Sequence, residues 1–309
     1  MKIPDRPKGY IFAFIATIAM ANVYVFSKAA LNELTIYQFG FFWFGMAIVW
    51  NLIFWIQSGR FKLVKHLRRK DYTVLLIHGV LEVAGTTLFF LAIETATLPA
   101  IMSFLQNLVP LFVIIMGVSM LGEKFTGIQV AGVVITMSGA AVTSFTGNVA
   151  ENGFFVAGTG YMIASTVFLA ATTIISKRFI KKIDPGIFTL NRSLFLFLLA
   201  IVLMVTRGES FNIPGSAWFN AMVGSLLGPF LTSLSTYTAL KYIDASKSTI
   251  VQSSKGLFVT IGAWIYFNSI PEGFQVIGGL LTIIGIVVLI TAREHGVEKK
   301  GTVITERPL

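Results

Sequence analysis

Three ionisable residues stand deep inside long apolar runs of this 309-residue chain: Glu82, Arg192 and Lys255. A charge at the centre of a bilayer costs about 2.5 to 3.5 kcal/mol on insertion scales, so such a side chain normally faces a cavity, a partner or a ligand. Glu82 lies near the middle of its run, where a short side chain reaches neither surface. It is a candidate carrier of a coupling proton, a candidate contact for a substrate ammonium, or a structural partner of a hydroxyl or of Lys255. Lys255 belongs to the polar run Gln252-Ser253-Ser254-Lys255-Gly256. Its methylene stem would have to climb far to bring the ammonium to the headgroups, so pointing into a wet cavity is the easier solution. Arg192 is shallower: a structural ion pair or headgroup contact is its bland reading, substrate contact its functional one.

A second tier of polar residues accompanies these charges. Gln106 and Asn107 align with Gln252 and Ser253 when the chain is compared with itself, which places amides symmetrically about a common site or between helices. Asn22, Tyr24, Ser235 and Tyr237 are further candidates to face a cavity. Pro110 removes a backbone donor and Gly256 loosens its helix, so both mark expected kinks or hinges.

The elements that position these residues follow from composition. With 55% hydrophobic and 12% charged residues and a mean hydropathy of +0.79, the chain is far more apolar than a soluble domain. Apolar runs can be placed at approximately 9–27, 36–57, 72–94, 98–121, 126–146, 154–176, 185–206, 214–240, 247–268 and 273–292. Each is near the roughly 20 residues a helix needs to cross hydrocarbon, and too long for barrel strands. The first run follows Lys2, Arg6 and Lys8 but lacks a small-residue cleavage site, so it reads as a helix that stays. Trp43, Trp50, Trp55, Trp218 and Trp264 fall mostly toward run ends, as an interfacial belt requires.

Charge placement sets topology. If the N-terminus is cytoplasmic, 20 of the basic residues fall on its side and two, Lys28 and Arg207, on the other. That bias is the positive-inside rule, and it puts both termini in the cytoplasm of a cell that carries the protein in its plasma or inner membrane. It also accounts for the net charge of +10 through lipid headgroups, with no nucleic-acid partner.

Two stretches nearly repeat at an offset of 146: Gly127, Gln129, Val130, Gly132, Thr136, Gly139 and Val142 recur as Gly273, Gln275, Val276, Gly278, Thr282, Gly285 and Val288. Phe112 and Phe258 extend the match, while Pro110 faces Gly256. Five spans per copy is an odd number, so the second copy enters the membrane from the opposite side. The expected fold is an all-α integral membrane protein of ten transmembrane helices built as a 5+5 inverted repeat. Residues 1–147 form the first five-helix repeat, 148–292 the second, and 293–309 a cytoplasmic tail. Inverted repeats are a common build of secondary transporters. Glycines seven apart, as at Gly132 and Gly139, predict a close helix seam, with self-association as the other use and an oligomer left open.

The chain resembles the drug/metabolite transporter superfamily, EamA type, across its whole length. The resemblance rests on Leu121-Gly122-Glu123-Lys124 with the Gly127 to Gly139 segment, on Ala239-Leu240-Lys241-Tyr242 leading to Ala245-Ser246, and on the duplication. It implies a central mid-membrane cavity and transport of small organic molecules without ATP hydrolysis, often as efflux. One departure is that Lys255-Gly256 stands where the first copy has Val109-Pro110.

The sequence therefore points to a secondary active transporter, an exporter of small polar metabolites working by alternating access. A zwitterion such as an amino acid suits a site holding an acid and a base; an organic phosphate or nucleotide sugar held by Lys255 and Arg192 is the alternative. An intramembrane enzyme is the reading from another class. No cysteine is present, no cofactor or metal is expected, and His66, His78 and His295 lack metal-ligand spacing. His78 is read as lying at a helix start, leaving no histidine deep in the membrane for serine–histidine catalysis.

Overall fold

The computed structural model describes residues 4–95, 105–144, 158–256, 258 and 273–292. Among these the chain is helical, with α1 at Asp5–Leu31, α2 at Ile36–Ser58 and, after a single turn at Phe61–Val64, α3 at Arg69–Thr95. Helix α4 is Leu108–Met116 continued by a π-turn at Gly117–Leu121, and α5 is Gly127–Ser144. Then come α6 at Thr159–Phe179 and α7 at Pro185–Thr206. Helix α8 runs through Gly215–Ser225, a π-turn at Leu226–Thr232, and Ser233–Tyr242; α9 is Ala245–Gln252 and α10 is Gly273–Thr291.

Local chemistry sets these boundaries. Thr35 and Gln38 form a reciprocal capping box at the start of α2, and Gly59 ends it in the left-handed region at φ 63°. Asp184 accepts the Gly186 amide and Pro185 occupies the first turn of α7. Pro229 cannot donate inside α8, and the helix widens there into its π-turn. The helical hydrogen bonding of the fourth span breaks at Asn107, one turn before Pro110, and that of α9 breaks at Ser253 and Ser254, just before Gly256. Asn107 and Ser253 are repeat mates at the 146-residue offset, so the two interruptions are equivalent.

Four described helices, Ile36–Ser58, Arg69–Ala92, Thr159–Phe179 and Pro185–Thr206, are long and apolar enough to cross a membrane. Their outer faces carry residues such as Ile56, Leu198 and Val205 in the open, while Thr17, Asn51, His78 and Glu82 are buried. This apolar exterior around a polar interior is the arrangement a lipid solvent selects. Trp43 and Trp55, expected in an interfacial belt, instead pack into the core at 2% and 1% exposure. Trp264 lies outside the described residues.

The glycine spacing produces the expected seam. A Cβ at Gly132 would lie 2.9 Å from the Leu289 amide nitrogen and 3.0 Å from the Gly285 carbonyl, and one at Gly139 would lie 2.6 Å from the Gly278 carbonyl. As numbers rise along α5 they fall along α10, so the two repeat-equivalent helices run antiparallel. Helices α2 and α7, also equivalent, behave alike: Gly40 faces Ala200 while Gly186 faces Trp55. Gly139→Val should therefore force the seam apart and cost roughly 1 to 3 kcal/mol, as overpacking does. Gly160, whose Cβ position has nothing within 4 Å, should accept Ala with little change; thermal melts in detergent read both.

Contacts sort the helix ends into two sets. One end joins Arg6 to the Ala292 carbonyl at 3.3 Å, Arg60 to Asp184 at 2.8 Å and Lys177 to the Leu240 and Ile243 carbonyls at 2.9 and 2.7 Å. The other joins Gln38 to the Ser210 carbonyl at 2.9 Å and Glu33 to Ser216. Most described basic residues lie at the first end.

Candidate functional site

Glu82 stands at the middle of α3 and is 3% exposed. Its partner is Arg192 of α7, whose Nε donates to Glu82 Oε2 at 2.8 Å. The sequence offered Lys255 or a hydroxyl as Glu82's structural partner; the structure gives it the arginine together with a hydroxyl. Tyr237 of α8 donates its phenol proton to Glu82 Oε1 at 3.0 Å. Arg192 spends its other donors on Ser233 Oγ at 3.1 Å and Thr86 Oγ1 at 3.5 Å, with its side chain 20% exposed. A buried ion pair is costly unless its other polar groups find partners, and here each of the two remaining guanidinium nitrogens has a hydroxyl acceptor.

His78, read from the sequence as a helix-start residue, is fully buried beside this pair. Helix α3 begins at Arg69, which carries His78 well into the bundle and one turn from Glu82, with Nε2 3.7 Å from Oε1. The network fixes its tautomer. Because Tyr237 gives its only proton to Glu82, the 3.1 Å contact between His78 Nε2 and the phenol oxygen requires the imidazole to donate. Asn191 Nδ2 donates to the Leu75 carbonyl at 3.0 Å and to His78 Nδ1 at 3.4 Å, so the neutral Nε2–H form satisfies every member. The Phe188 ring lies 5.0 Å from His78 and 5.5 Å from Tyr237, walling the network on one side. Tyr237→Phe would leave a carboxylate oxygen and an imidazole N–H without their partner. A loss of roughly 1 to 3 kcal/mol is expected, measured as a melting shift against wild type.

The cluster is asymmetric. At the repeat offset, Glu82, His78, Arg192 and Tyr237 align with Gly228, Gly224, Met46 and Leu91. In the other half the space beside the two glycines holds the Trp43 ring, 3.3 Å from where a Gly228 Cβ would be. Among the described residues the charged cluster has no counterpart at the repeat-equivalent positions.

The remaining predicted site residues divide. Gln252 accepts from Thr236 Oγ1 at 3.1 Å and donates to Ser248, which ties it to α8 one helical position from Tyr237. Lys255 follows the Ser253–Ser254 break and is half-buried. Gln106 and Asn107 are buried at the equivalent break of the first copy. Ser253 donates to the Ile250 carbonyl at 2.6 Å and Asn22 to the Ile18 carbonyl at 3.0 Å, each within its own helix. Ser235 is buried, and the Tyr24 side chain lies outside the described residues.

Two residues passed over as site candidates close the basic end. Glu123 accepts the Ala245 and Ser246 amides at 2.8 and 3.3 Å, so it caps α9 from the first repeat while Asp244 pairs instead with Lys247. Gly122, in the left-handed region at φ 67°, ends α4 and frees Glu123 to make that turn. Lys177 binds the last carbonyls of α8, as cations at helix C-termini do.

A family model described as the EamA-like transporter family matches residues 7–145 and 156–291. A solved structure titled only as the crystal structure of a protein superposes with a TM-score of 0.74 at 17% identity, over 91% of this chain and 96% of that one. That likeness is one of fold. No curated protein matches the chain.

Proposed function

The chain belongs to the EamA-like transporter family, and we propose that it is a secondary active transporter that exports a small polar metabolite by alternating access. As a member of that family it is a multi-pass membrane protein of the drug/metabolite transporter type. In our reading residues 1–147 and 148–292 are two inverted five-helix repeats, ten spans in all, with a tail at 293–309. Both termini lie in the cytoplasm and the membrane is the plasma or inner membrane. The antiparallel pairing of α5 with α10 and of α2 with α7 supports the inversion.

The observation that carries the reading is the Glu82–Arg192 pair, held at mid-helix between one helix of each half. A packed apolar interior would serve stability as well or better than a buried ion pair, so its presence calls for a role in recognition or coupling. Tyr237, which donates to Glu82, follows Thr236, which bonds Gln252 at the interrupted α9, and broken helices at mid-membrane are where transporters of inverted-repeat build hold substrate. Glu82 is the group through which a proton would couple. The closed basic end, held by Glu123 and Lys177, is the gate that must open toward the cytoplasm.

Purified protein in proteoliposomes tests this. Loading the lumen with a metabolite mixture should permit accumulation of a labelled member by counterflow, without ATP and abolished by gradient collapse. Single-channel conductance steps, or substrate turnover in detergent where no gradient exists, would contradict it.

A further inference from the structure

We infer that the group this site recognises on its substrate is an anion, and that Lys255 receives it. The inference rests on the transporter reading above. Away from their ends, the apolar runs carry one carboxylate, Glu82, against two cations, Arg192 and Lys255. Both Glu82 oxygens are occupied, one by the Arg192 guanidinium at 2.8 Å and one by the Tyr237 phenol at 3.0 Å. A substrate ammonium at that carboxylate would compete with the arginine and the phenol for a charge that the guanidinium already neutralises. The zwitterion pairing expected from the sequence therefore lacks its acidic half.

Lys255 makes no hydrogen bond or ion pair among the described residues, although it is half-buried at the α9 break. The α8–α9 hairpin sets its level. Thr236 bonds Gln252 at 3.1 Å across the pair, so one turn further from the connection Ser233 and Lys255 stand at the same height. Ser233 is the hydroxyl that Arg192 Nη1 holds at 3.1 Å. The register thus brings Lys255, which has no partner among the described residues, to the level of Ser233, the hydroxyl that Arg192 holds. A carboxylate or phosphate ester cancels the remaining charge; a cation adds a second one, and charges in this medium interact strongly. Oxyanions also accept the charge-assisted hydrogen bonds that Lys offers.

The test is a set of melts of purified protein at constant ionic strength with shape-matched probes. Phenylacetate and phenyl phosphate carry negative charge, phenylacetamide none, phenethylamine positive charge, and phenylalanine both signs. At least one anion should raise the melting temperature saturably, since binding to the folded form alone stabilises it. Lys255→Gln should raise its half-saturating concentration roughly tenfold or more, and Lys255→Arg should restore most of the effect. Which anion stabilises distinguishes carboxylate from phosphate recognition. The inference is overturned if neither anion acts, if the anion effect survives Lys255→Gln unchanged, or if the amine or the zwitterion binds more tightly. Those outcomes leave the transporter reading standing, because that reading is decided separately, by gradient-driven flux in proteoliposomes.

Discussion

Glu82→Leu and Arg192→Leu are each expected to lower stability by about 3 to 5 kcal/mol, because each leaves the other member of a buried pair without its counter-charge. The double variant Glu82→Leu/Arg192→Leu should regain most of that loss, since a leucine pair strands no charge at mid-helix. Transport should be lost in all three. Melting in detergent and counterflow in proteoliposomes, run on the same preparations, separate the two effects. A double variant that recovered both stability and flux would reduce the pair to a structural feature.

Lys255→Gln is expected to do the reverse. The ammonium has no partner among the described residues, so its removal should leave the melting temperature unchanged or higher. Flux should nonetheless fall at least about tenfold, the usual worth of a lost hydrogen bond to a charged group. Stability kept while activity is lost is the signature of a residue retained for function.

The sequence carried the frame of the molecule well and the interior of the site poorly. Seven-residue glycine spacing at Gly132 and Gly139 demanded a close helix seam, and the structure supplies one against Gly278 and Gly285. Glu82 and Arg192 were singled out by depth alone, because an apolar run states how far a residue lies from water. It does not state which way the residue faces around the helix axis. Lys255 or a hydroxyl is therefore the partner that the sequence offers Glu82, and azimuth decides for Arg192 together with the Tyr237 hydroxyl. The apolar run begins near residue 72, whereas α3 starts at Arg69 and carries His78 deeper into the bundle; the spacing of four to Glu82 is the signal that the sequence holds. The break assigned to Pro110 falls one turn earlier, at Asn107, because a proline in a helix frees the carbonyl four residues before it, here Gln106. Glu123 was visible only as part of a family signature. Its task as the cap of α9 depends on a contact between halves that no local pattern encodes.

Alternating access, as proposed, requires a site that opens in turn to each side of the membrane. The chain has no cysteine, so Ser233→Cys and Thr86→Cys, one on each half beside Arg192, give single reporters without further changes. Their reaction with a membrane-impermeant thiol reagent is to be followed in right-side-out and inverted vesicles. Alternating access predicts that each position labels from both sides and that a saturating transported substrate protects it. Labelling confined to one side under every gradient, or from neither, would contradict the account.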